Sequence, residues 1–320
     1  METPRPDAPA TPFAPGRGGR VDEPGPWGPE RVADAVVAAE ASMDRLDAVR
    51  ARVAGGAANT HGGDPGLHRN RSTVVRHAVN YLVAVRAAQA LAAGVDGPVV
   101  DVGAGTGAFS PLLAERLGRE LHVVDTDPRH TALAAAAFPG TGVHTDLAAA
   151  PRGAVVTAME VIEHLEPADQ VGFVASLASA VLPGGAVVLS TPDESGYPRG
   201  WSGYAPHVGP LDAAGLARAV SRGTGGWPVT VLRVDGPTFS LTPVGALVQG
   251  TANRAWNLVS GVAAGLEPRV TGLVHRVTRD RPAAAVPPEG SWRVRPVGDD
   301  DGGWRSGTGL LALATAPAQA

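Results

Sequence analysis

The chain has 320 residues, a formal net charge of −4 and no cysteine, and these numbers exclude several classes of protein. Without cysteine there are no disulfides, no thiolate nucleophile and no cysteine-ligated zinc. A mildly acidic chain gives no reason to expect an extended nucleic-acid surface, and no run of about 18 apolar residues is present to span a membrane. We therefore expect a soluble cytoplasmic protein, for which a homodimer remains open.

The N-terminal third divides into a tail and two helices. Residues 1–28 are rich in proline and poor in apolar side chains, so they are predicted to form a disordered tail. Residues 29–53 and about 72–92 carry apolar side chains at helical spacing, with a glycine-rich break between them. These two helices are predicted to form a cap over residues 29–94.

From Pro98 onward, short β-branched runs alternate with helical segments. The strand runs are 98–103, 121–125, 142–146, 154–159 and 185–191, and the helical segments fall near 108–118, 128–137, 167–181 and 211–222. This alternation is typical of βαβ units, so residues 95–320 are predicted to form an α/β domain: a doubly wound, Rossmann-like parallel sheet with helices on both faces. Runs 229–236 and 309–316 are predicted to complete the sheet, with a helical and loop insertion at 236–306 before the last strand.

The segment DVGAGTGAFS lies where the first strand should turn into a helix. Gly103, Gly105 and Gly107 permit a positive φ and let a ligand approach the backbone closely. Asp125 ends the second strand, 22 residues after Gly103, which is the usual distance for a carboxylate that binds ribose hydroxyls. Asp146, after the third strand, is placed to accept a hydrogen bond from an adenine amino group. Together these residues indicate a nucleoside cofactor.

The glycines alone leave the class of cofactor open. Gly103, Gly105 and Ala108 also satisfy the GxGxx(G/A) dinucleotide fingerprint, which favours an NAD-dependent oxidoreductase. Against that alternative stand Asp101, Gly107 and the absence of a Tyr-x-x-x-Lys hydride-site signature in a chain without lysine. A non-catalytic binding protein with the same fold is a third alternative, against which the intact acidic and histidine residues argue.

Asp101 opens a D-x-G-x-G-x-G pattern that, with the acidic residue after the second strand, resembles class I S-adenosylmethionine-dependent methyltransferases. The segments VVDTDP, TDLAAAP, MEVIEHLEP and LPGGAVVLSTPD follow in that family's order, over roughly residues 70–235 plus the last strand. The resemblance implies S-adenosylmethionine as the cofactor, with the glycine loop beneath its methionine part. It implies cofactor roles for Asp101, Gly103, Ala104, Gly105, Gly107, Asp125, Thr126, Asp146, Leu147 and Met159.

A cluster of two glutamates and a histidine directly follows the fourth strand. Glu160, Glu163 and His164 are spaced i, i+3 and i+4, so they share one face if the segment is helical. With His207 in a later loop, the pattern resembles the small-RNA 2′-O-methyltransferases, in which two glutamates and two histidines hold a divalent metal, and the ubiquinone-biosynthesis O-methyltransferases, which act on catechol-like rings. The resemblance implies Mg²⁺ or Mn²⁺ ligation by Glu160, Glu163, His164 and His207.

A metal at this position explains how a hydroxyl can accept a methyl group. An alcohol is a poor nucleophile, and a bound metal lowers the pKa of an oxygen ligand. Two open coordination positions would hold two neighbouring oxygens, so we expect a vicinal diol or catechol, preferably on a sugar-bearing small molecule. His164, His207 and Glu160 are the catalytic candidates. Metal-free transfer with a histidine as general base, including transfer to nitrogen or carbon, remains an alternative.

Two further segments bear on the acceptor. HRNRSTVVRH, which includes Arg76 and His77, is either a solvated helix face or a clamp for the cofactor carboxylate or an anionic substrate. Residues 193–207 concentrate tyrosine and tryptophan in a chain with few aromatic residues. This loop either stacks on a sugar or aromatic ring, or packs as a lid on the 236–306 insertion.

Overall fold

A computed structural model of the chain describes residues 19–20, 32–53, 71–197, 200–236, 247, 250–251, 254, 292–297 and 309–318. Within them, nine strands form one sheet, and helices cover both of its faces. The strands are β1 Gly19–Arg20, β2 Val99–Val102, β3 Leu121–Val124, β4 Gly142–His144, β5 Gly153–Met159, β6 Val181–Pro192, β7 Val229–Asp235, β8 Arg293–Pro296 and β9 Gly309–Thr315. The helices are α1 Val32–Val53, α2 Arg71–Leu91, α3 Ser110–Leu117, α4 Pro128–Ala137, α5 Gln170–Ser179 and α6 Ala213–Gly223.

The strand order is β1-β8-β7-β9-β6-β5-β2-β3-β4. Strands β4, β3, β2, β5 and β6 are mutually parallel, whereas β9 is antiparallel to both β6 and β7. The chain runs outward from β2 to β4 and then returns to β5, so the strand order reverses between β2 and β5. Ligands of open α/β sheets bind at such a reversal, outside the carboxyl ends of the strands.

The side chains of each strand alternate between two hydrophobic cores, one on each face of the sheet. Val99 and Val155 face the core shared with α1 to α4, whereas their neighbours Val100 and Val156 face the core shared with α5 and α6. Successive side chains of a strand point to opposite faces, and here both faces are apolar because helices cover both. The doubly wound arrangement predicted from the sequence is therefore confirmed, and so are the predicted helical positions of α1 to α6.

Two strands were not predicted. Strand β8 lies inside the 236–306 segment that was predicted as helix and loop, and it pairs antiparallel with β7. Strand β1 lies inside the predicted disordered tail and pairs with β8. The sequence pattern for β8 is weak because this strand is only four residues long and its buried Val294 lies between Arg293 and Arg295. The rest of the predicted tail lies outside the described residues, as does most of the insertion.

A further difference concerns the direction of the last strand. The sequence predicted a parallel sheet, but β9 enters between β6 and β7 in the opposite direction. Strand periodicity is the same in both directions, so the sequence pattern carried no information on this point. Among the described residues, no helix has the length and apolar character that crossing a membrane requires.

Candidate active site

The glycine loop follows β2 with the backbone conformation expected from the sequence. Positive φ values of 69°, 58° and 74° occur at Gly103, Gly105 and Gly107. The amides of Gly103 and Ala104 both donate to the carbonyl of Val124, at 2.8 and 3.2 Å. A Cβ atom at Gly103 would lie 2.5 Å from Cγ2 of Val161. This position therefore requires glycine both for its φ and for the space.

Asp101 is fully buried beneath this loop. Its Oδ2 accepts from the hydroxyls of Tyr81 at 3.0 Å and Ser110 at 2.6 Å, and its Oδ1 accepts from Thr157 Oγ1 at 2.6 Å. Burial raises the pKa of Asp101, although all three hydroxyl groups favour the charged form. The carboxylate thus ties α2, α3 and β5 together around the loop, and a direct contact with the cofactor stays a prediction.

Asp125 joins the glycine loop to the end of β3. Its Oδ2 accepts from the amide of Gly105 at 2.8 Å, and its Oδ1 accepts from the amide of Asp127 at 2.9 Å and lies 3.2 Å from Nδ1 of His130. Thr126 beside it is exposed. The carboxylate is therefore held at the carboxyl edge of the sheet, where the sequence predicted a ribose-binding group.

The remaining predicted cofactor residues lie along the same edge. Asp146 is exposed and accepts from the amide of Ala148 at 3.0 Å, which caps a 3-10 turn over Leu147–Ala149. Met159 is buried and is the last residue of β5. The structure therefore brings the predicted cofactor residues of β2, β3, β4 and β5 to one end of the sheet.

Glu160 leaves β5 in a left-handed conformation, with φ 58°, the one positive φ among the described non-glycine residues. Its Oε1 accepts from Ser190 Oγ at 3.0 Å and Asn80 Nδ2 at 3.3 Å, and its Oε2 lies 3.6 Å from a guanidinium nitrogen of Arg76. The expected helical face is absent, because a 3-10 turn begins only at Ile162. The carboxylate of Glu160 consequently points toward α2.

Glu163 lies in that 3-10 turn and is 1% exposed. Its Oε2 accepts from Thr191 Oγ1 at 3.0 Å. Its Oε1 has no hydrogen-bond partner among the described residues, although it is buried. Burial raises the pKa of Glu163 well above its usual value, and the charge of Glu160 adds to this effect. The buried oxygen is thus placed to take a proton or a cation.

His164 presents one ring nitrogen to the protein and leaves the other available. Its Nδ1 lies 3.0 Å from the carbonyl oxygen of Pro206. A carbonyl can only accept, so Nδ1 carries the proton and Nε2 carries the lone pair. Burial lowers the pKa of His164, and the neighbouring His207 lowers it further. His164 is therefore neutral at neutral pH.

His207 follows the same pattern through a different partner. Its Nδ1 lies 2.6 Å from Oε1 of Glu194, which also accepts from the hydroxyl of Ser202 at 2.6 Å. Burial acts to raise the pKa of Glu194, but the hydrogen bonds from His207 and Ser202 hold it below its usual value. Glu194 was not predicted as a functional residue from the sequence. The signal that could have indicated it is its position as an acidic residue just after strand β6.

Three of the four predicted metal ligands come together. Ligand atoms of Glu163, His164 and His207 all lie within 4.8 Å of one another, and the two imidazole rings are 5.0 Å apart in an edge-on arrangement. Glu160 is outside this group in the described structure because its carboxylate is bonded to α2 and β6. A shared face was expected only if the segment were helical, and the 3-10 turn that begins at Ile162 does not include Glu160.

The aromatic loop at 193–207 packs beside the cluster. Its start is anchored by Asp193, whose buried carboxylate accepts from Arg233 of β7 at 3.1 Å. Tyr204 contacts His207 edge-on at 4.9 Å, and the indole of Trp201 donates to the carbonyl of Tyr204 at 3.3 Å. These contacts connect the loop directly to the histidine pair.

The loop also meets the insertion. The guanidinium carbon of Arg254 lies 6.0 Å from the ring of Trp201. Tyr197 is buried, and this burial together with the nearby charge of Glu194 raises its pKa to about 12. The contact between Arg254 and Trp201 supports the interpretation of the loop as a lid packed on the insertion.

Arg76 and His77 of the basic segment lie in different environments, and the buried position of His77 does not fit a solvated helix face. Arg76 pairs with Glu160 at the site, whereas His77 is buried and its ring lies 5.3 Å from that of Phe109. Residues 68–69 are outside the described part of the chain. Arg76 therefore faces the candidate active site, and His77 belongs to the core.

A family profile described as "Methyltransferase domain" matches residues 67–229, just over half of the chain. The chain belongs to this family. The family and the sequence motifs indicate an S-adenosylmethionine-dependent methyltransferase domain. Membership decides between the two cofactor classes that the glycine pattern left open.

No curated protein matches the chain. Among solved structures, an amino pentose methyltransferase of calicheamicin biosynthesis from Micromonospora echinaspora is 28% identical over 35% of this chain and 49% of its own, with a TM-score of 0.31. A sugar N-methyltransferase from Streptoalloteichus is 22% identical over 33% and 45%, with a TM-score of 0.31. The YcgJ protein of Bacillus subtilis is 13% identical over 75% and 99%, with a TM-score of 0.46. The chain thus spans about half the length of the first two proteins.

Proposed function

We propose that this methyltransferase transfers the methyl group of S-adenosylmethionine to one of two adjacent hydroxyls on a small molecule, with a divalent cation held by Glu163, His164 and His207. The observation that carries the proposal is Oε1 of Glu163, which is buried and has no hydrogen-bond partner among the described residues. Leaving a buried polar atom unsatisfied costs about 1–3 kcal/mol, and more for a charged group. A cation at this point would satisfy it.

The donor set fits such a cation. One carboxylate and two imidazoles suit Mn²⁺, Mg²⁺ or Fe²⁺, and each imidazole already has its Nδ1 next to a protein acceptor. Three protein ligands leave coordination positions for two oxygens of an acceptor. Glu160 was predicted as a fourth ligand, but its carboxylate is bonded to Asn80 and Ser190, so we assign it the role of proton acceptor in place of ligand.

A divalent cation at this cluster would lower the pKa of an acceptor hydroxyl and fix the positions of two neighbouring oxygens. In the transfer itself, the acceptor hydroxyl loses its proton, its oxygen bonds to the methyl carbon, and the carbon–sulfur bond breaks to release S-adenosylhomocysteine. Glu160 is the nearby carboxylate proposed to take the proton, because His164 and His207 would then be occupied as ligands.

The cofactor is proposed to lie along the carboxyl ends of β2 to β5. Its methionine part would lie over Gly103 to Gly107, its ribose hydroxyls would face Asp125, and its adenine would lie near Asp146. This arrangement is supported by the open edge at the strand reversal and by the glycine backbone that faces it.

The proposed acceptor is a sugar-bearing or catechol-like small molecule. Support comes from the aromatic loop, where Tyr204 lies against His207 and Trp201 is bonded to Tyr204. Aromatic rings beside a cation would stack on a sugar or an aromatic ring while its adjacent hydroxyls reach the cation.

Calorimetric titration of Mn²⁺ into the protein with S-adenosylhomocysteine tests the proposal. We expect one Mn²⁺ site in the wild type, and loss of that site in Glu163→Gln and in His207→Ala. Glu166→Gln, an exposed residue of the same segment, is the matched control and should bind like the wild type. Cofactor binding without Mn²⁺ binding would refute the proposed metal site. It would favour His164, whose Nε2 carries a lone pair, as the general base.

A further inference from the structure

We infer that Glu194 is a positioning residue for His207, because its carboxylate keeps the imidazole proton on Nδ1 and turns the Nε2 lone pair toward Glu163 and His164. The inference rests on the proposed metal site and deepens it, since a histidine nitrogen ligates a cation only when it carries no proton.

The contacts of Glu194 define its role as an acceptor. It is 2% exposed, and its Oε1 lies 2.6 Å from both Nδ1 of His207 and Oγ of Ser202. Its Oε2 accepts from the amide of Ser202 at 2.9 Å. Because an amide nitrogen and a hydroxyl already donate to this carboxylate, a proton on Nδ1 makes His207 its third donor.

The charge of Glu194 matters as well as its position. Each oxygen of Glu194 accepts a hydrogen bond from Ser202, as an ionised carboxylate does. A negatively charged hydrogen-bond partner at Nδ1 makes the lone pair of Nε2 more basic, and Nε2 therefore becomes a stronger ligand for a cation. His164 relies instead on the neutral carbonyl of Pro206, so Glu194 is the side chain through which a substitution can change one imidazole and leave the other intact.

The backbone around Glu194 is anchored independently of His207. Asp193 accepts from Arg233 at 3.1 Å and from the amide of Ser195 at 3.1 Å, and both Asp193 and Glu194 are buried. The start of the loop is thereby fixed to β7. Glu194 can therefore impose an orientation on His207 and does not merely follow it.

The tautomer of His207 is the first measurement. Long-range ¹H–¹⁵N NMR of the metal-free protein, with His207→Gln to assign the signals, reports which ring nitrogen carries the proton. We expect Nδ1–H in the wild type and a shift toward Nε2–H in Glu194→Gln, because the amide group can donate to Nδ1. Wild-type protein with Nε2–H would overturn the inference, whether or not the variant folds.

The Mn²⁺ affinity, measured without cofactor or acceptor, is the second readout. We expect Glu194→Gln to bind Mn²⁺ about 10- to 100-fold more weakly than the wild type, the usual effect of removing such a partner. Ser202→Ala removes one of the donors to Glu194 but leaves the bond to His207, so its affinity should fall by clearly less than that of Glu194→Gln. An equal loss in Ser202→Ala would assign the effect to loop structure and refute a specific role of Glu194.

The two proposals fail in different ways. If wild-type His207 carries the Nδ1 proton but no Mn²⁺ binds, the proposed function fails and the positioning role stands. If Mn²⁺ binds equally to the wild type and to Glu194→Gln, the positioning role fails and the proposed function stands.

Discussion

Gly103 and Glu160 both have a left-handed backbone, with φ values of 69° and 58°, at the ends of neighbouring strands. Glycine adopts this conformation without steric cost, whereas another residue loses about 1–2 kcal/mol. At Glu160, hydrogen bonds from its amide to the carbonyl and hydroxyl oxygens of Ser190, both at 3.0 Å, offset that cost. The conformation of Glu160 therefore depends on β6, which no local pattern reveals.

Gly103→Ala tests the glycine requirement at the residue scale. The added Cβ atom would meet Val161 at 2.5 Å, whereas the same atom at Gly118, with a similar φ of 62°, would meet nothing within 4 Å. We expect Gly118→Ala to lower the free energy of unfolding by about 1–2 kcal/mol and Gly103→Ala to lower it further. Chemical denaturation measures both, and equal losses would contradict the close approach to Val161.

At the element scale, Arg119 connects the end of α2 to the sheet. Its guanidinium donates to the carbonyls of Ala92 at 3.0 Å, Val95 at 2.7 Å and Gly97 at 2.9 Å. These carbonyls lie between α2 and β2, where the helix ladder no longer provides partners. The connection between α2 and the sheet therefore includes a polar contact as well as an apolar face.

Replacement of Arg119 by alanine removes all three of these hydrogen bonds. We expect a loss of about 1–3 kcal/mol in the free energy of unfolding, because the freed carbonyls are only partly reached by water. Arg218→Ala, at an exposed position of α6, should change stability by less than about 0.5 kcal/mol. Thermal denaturation of both variants checks the difference, and similar effects would contradict the role of Arg119.

His77 in α2 makes the contact between α2 and α3 sensitive to pH. Burial lowers the pKa of His77 well below its usual value, and the charge of Arg76 lowers it further. The unfolded chain therefore binds a proton below about pH 6.5 that the folded chain excludes, so stability falls as the pH is lowered from that point.

His77→Phe should reduce this acid sensitivity, since it keeps an aromatic ring near Phe109 and removes the titrating group. Between about pH 6.5 and 5, we expect the slope of unfolding free energy against pH to decrease by at most about 1.4 kcal/mol per pH unit. Urea denaturation across that range measures the slope. An unchanged slope would mean that His77 is not the group that resists protonation.

At the scale of the whole molecule, the strand order places the glycine loop, Asp125 and the cluster of Glu163, His164 and His207 at the same edge of the sheet. These residues lie at the carboxyl ends of β2, β3 and β5 and in the loop after β6. A ligand that binds there contacts several elements at once, and it therefore stabilises the folded state over the unfolded chain.

Ligand stabilisation distinguishes the two classes of cofactor experimentally. At 100 times its dissociation constant, S-adenosylhomocysteine should add about 2.7 kcal/mol to the stability of the folded protein. NAD should leave the melting temperature unchanged. Gly105→Val, which blocks the loop, should abolish the shift, and a shift with NAD alone would contradict the assignment of the cofactor site.

Local patterns in the sequence were sufficient for the order of α1 to α6, of β2 to β7 and of β9, for the glycine turn and for the acidic residue after β3, because each depends on neighbours in the chain. Tertiary structure alone decided the pairing of the short strands β1 and β8, the antiparallel entry of β9, the turn of Glu160 toward Asn80, and the pairing of Glu194 with His207. Each of these outcomes depends on hydrogen bonds between distant segments. Which of these bonds form depends on all the segments of the chain that could pair with one another. The sequence of a single segment therefore does not predict them.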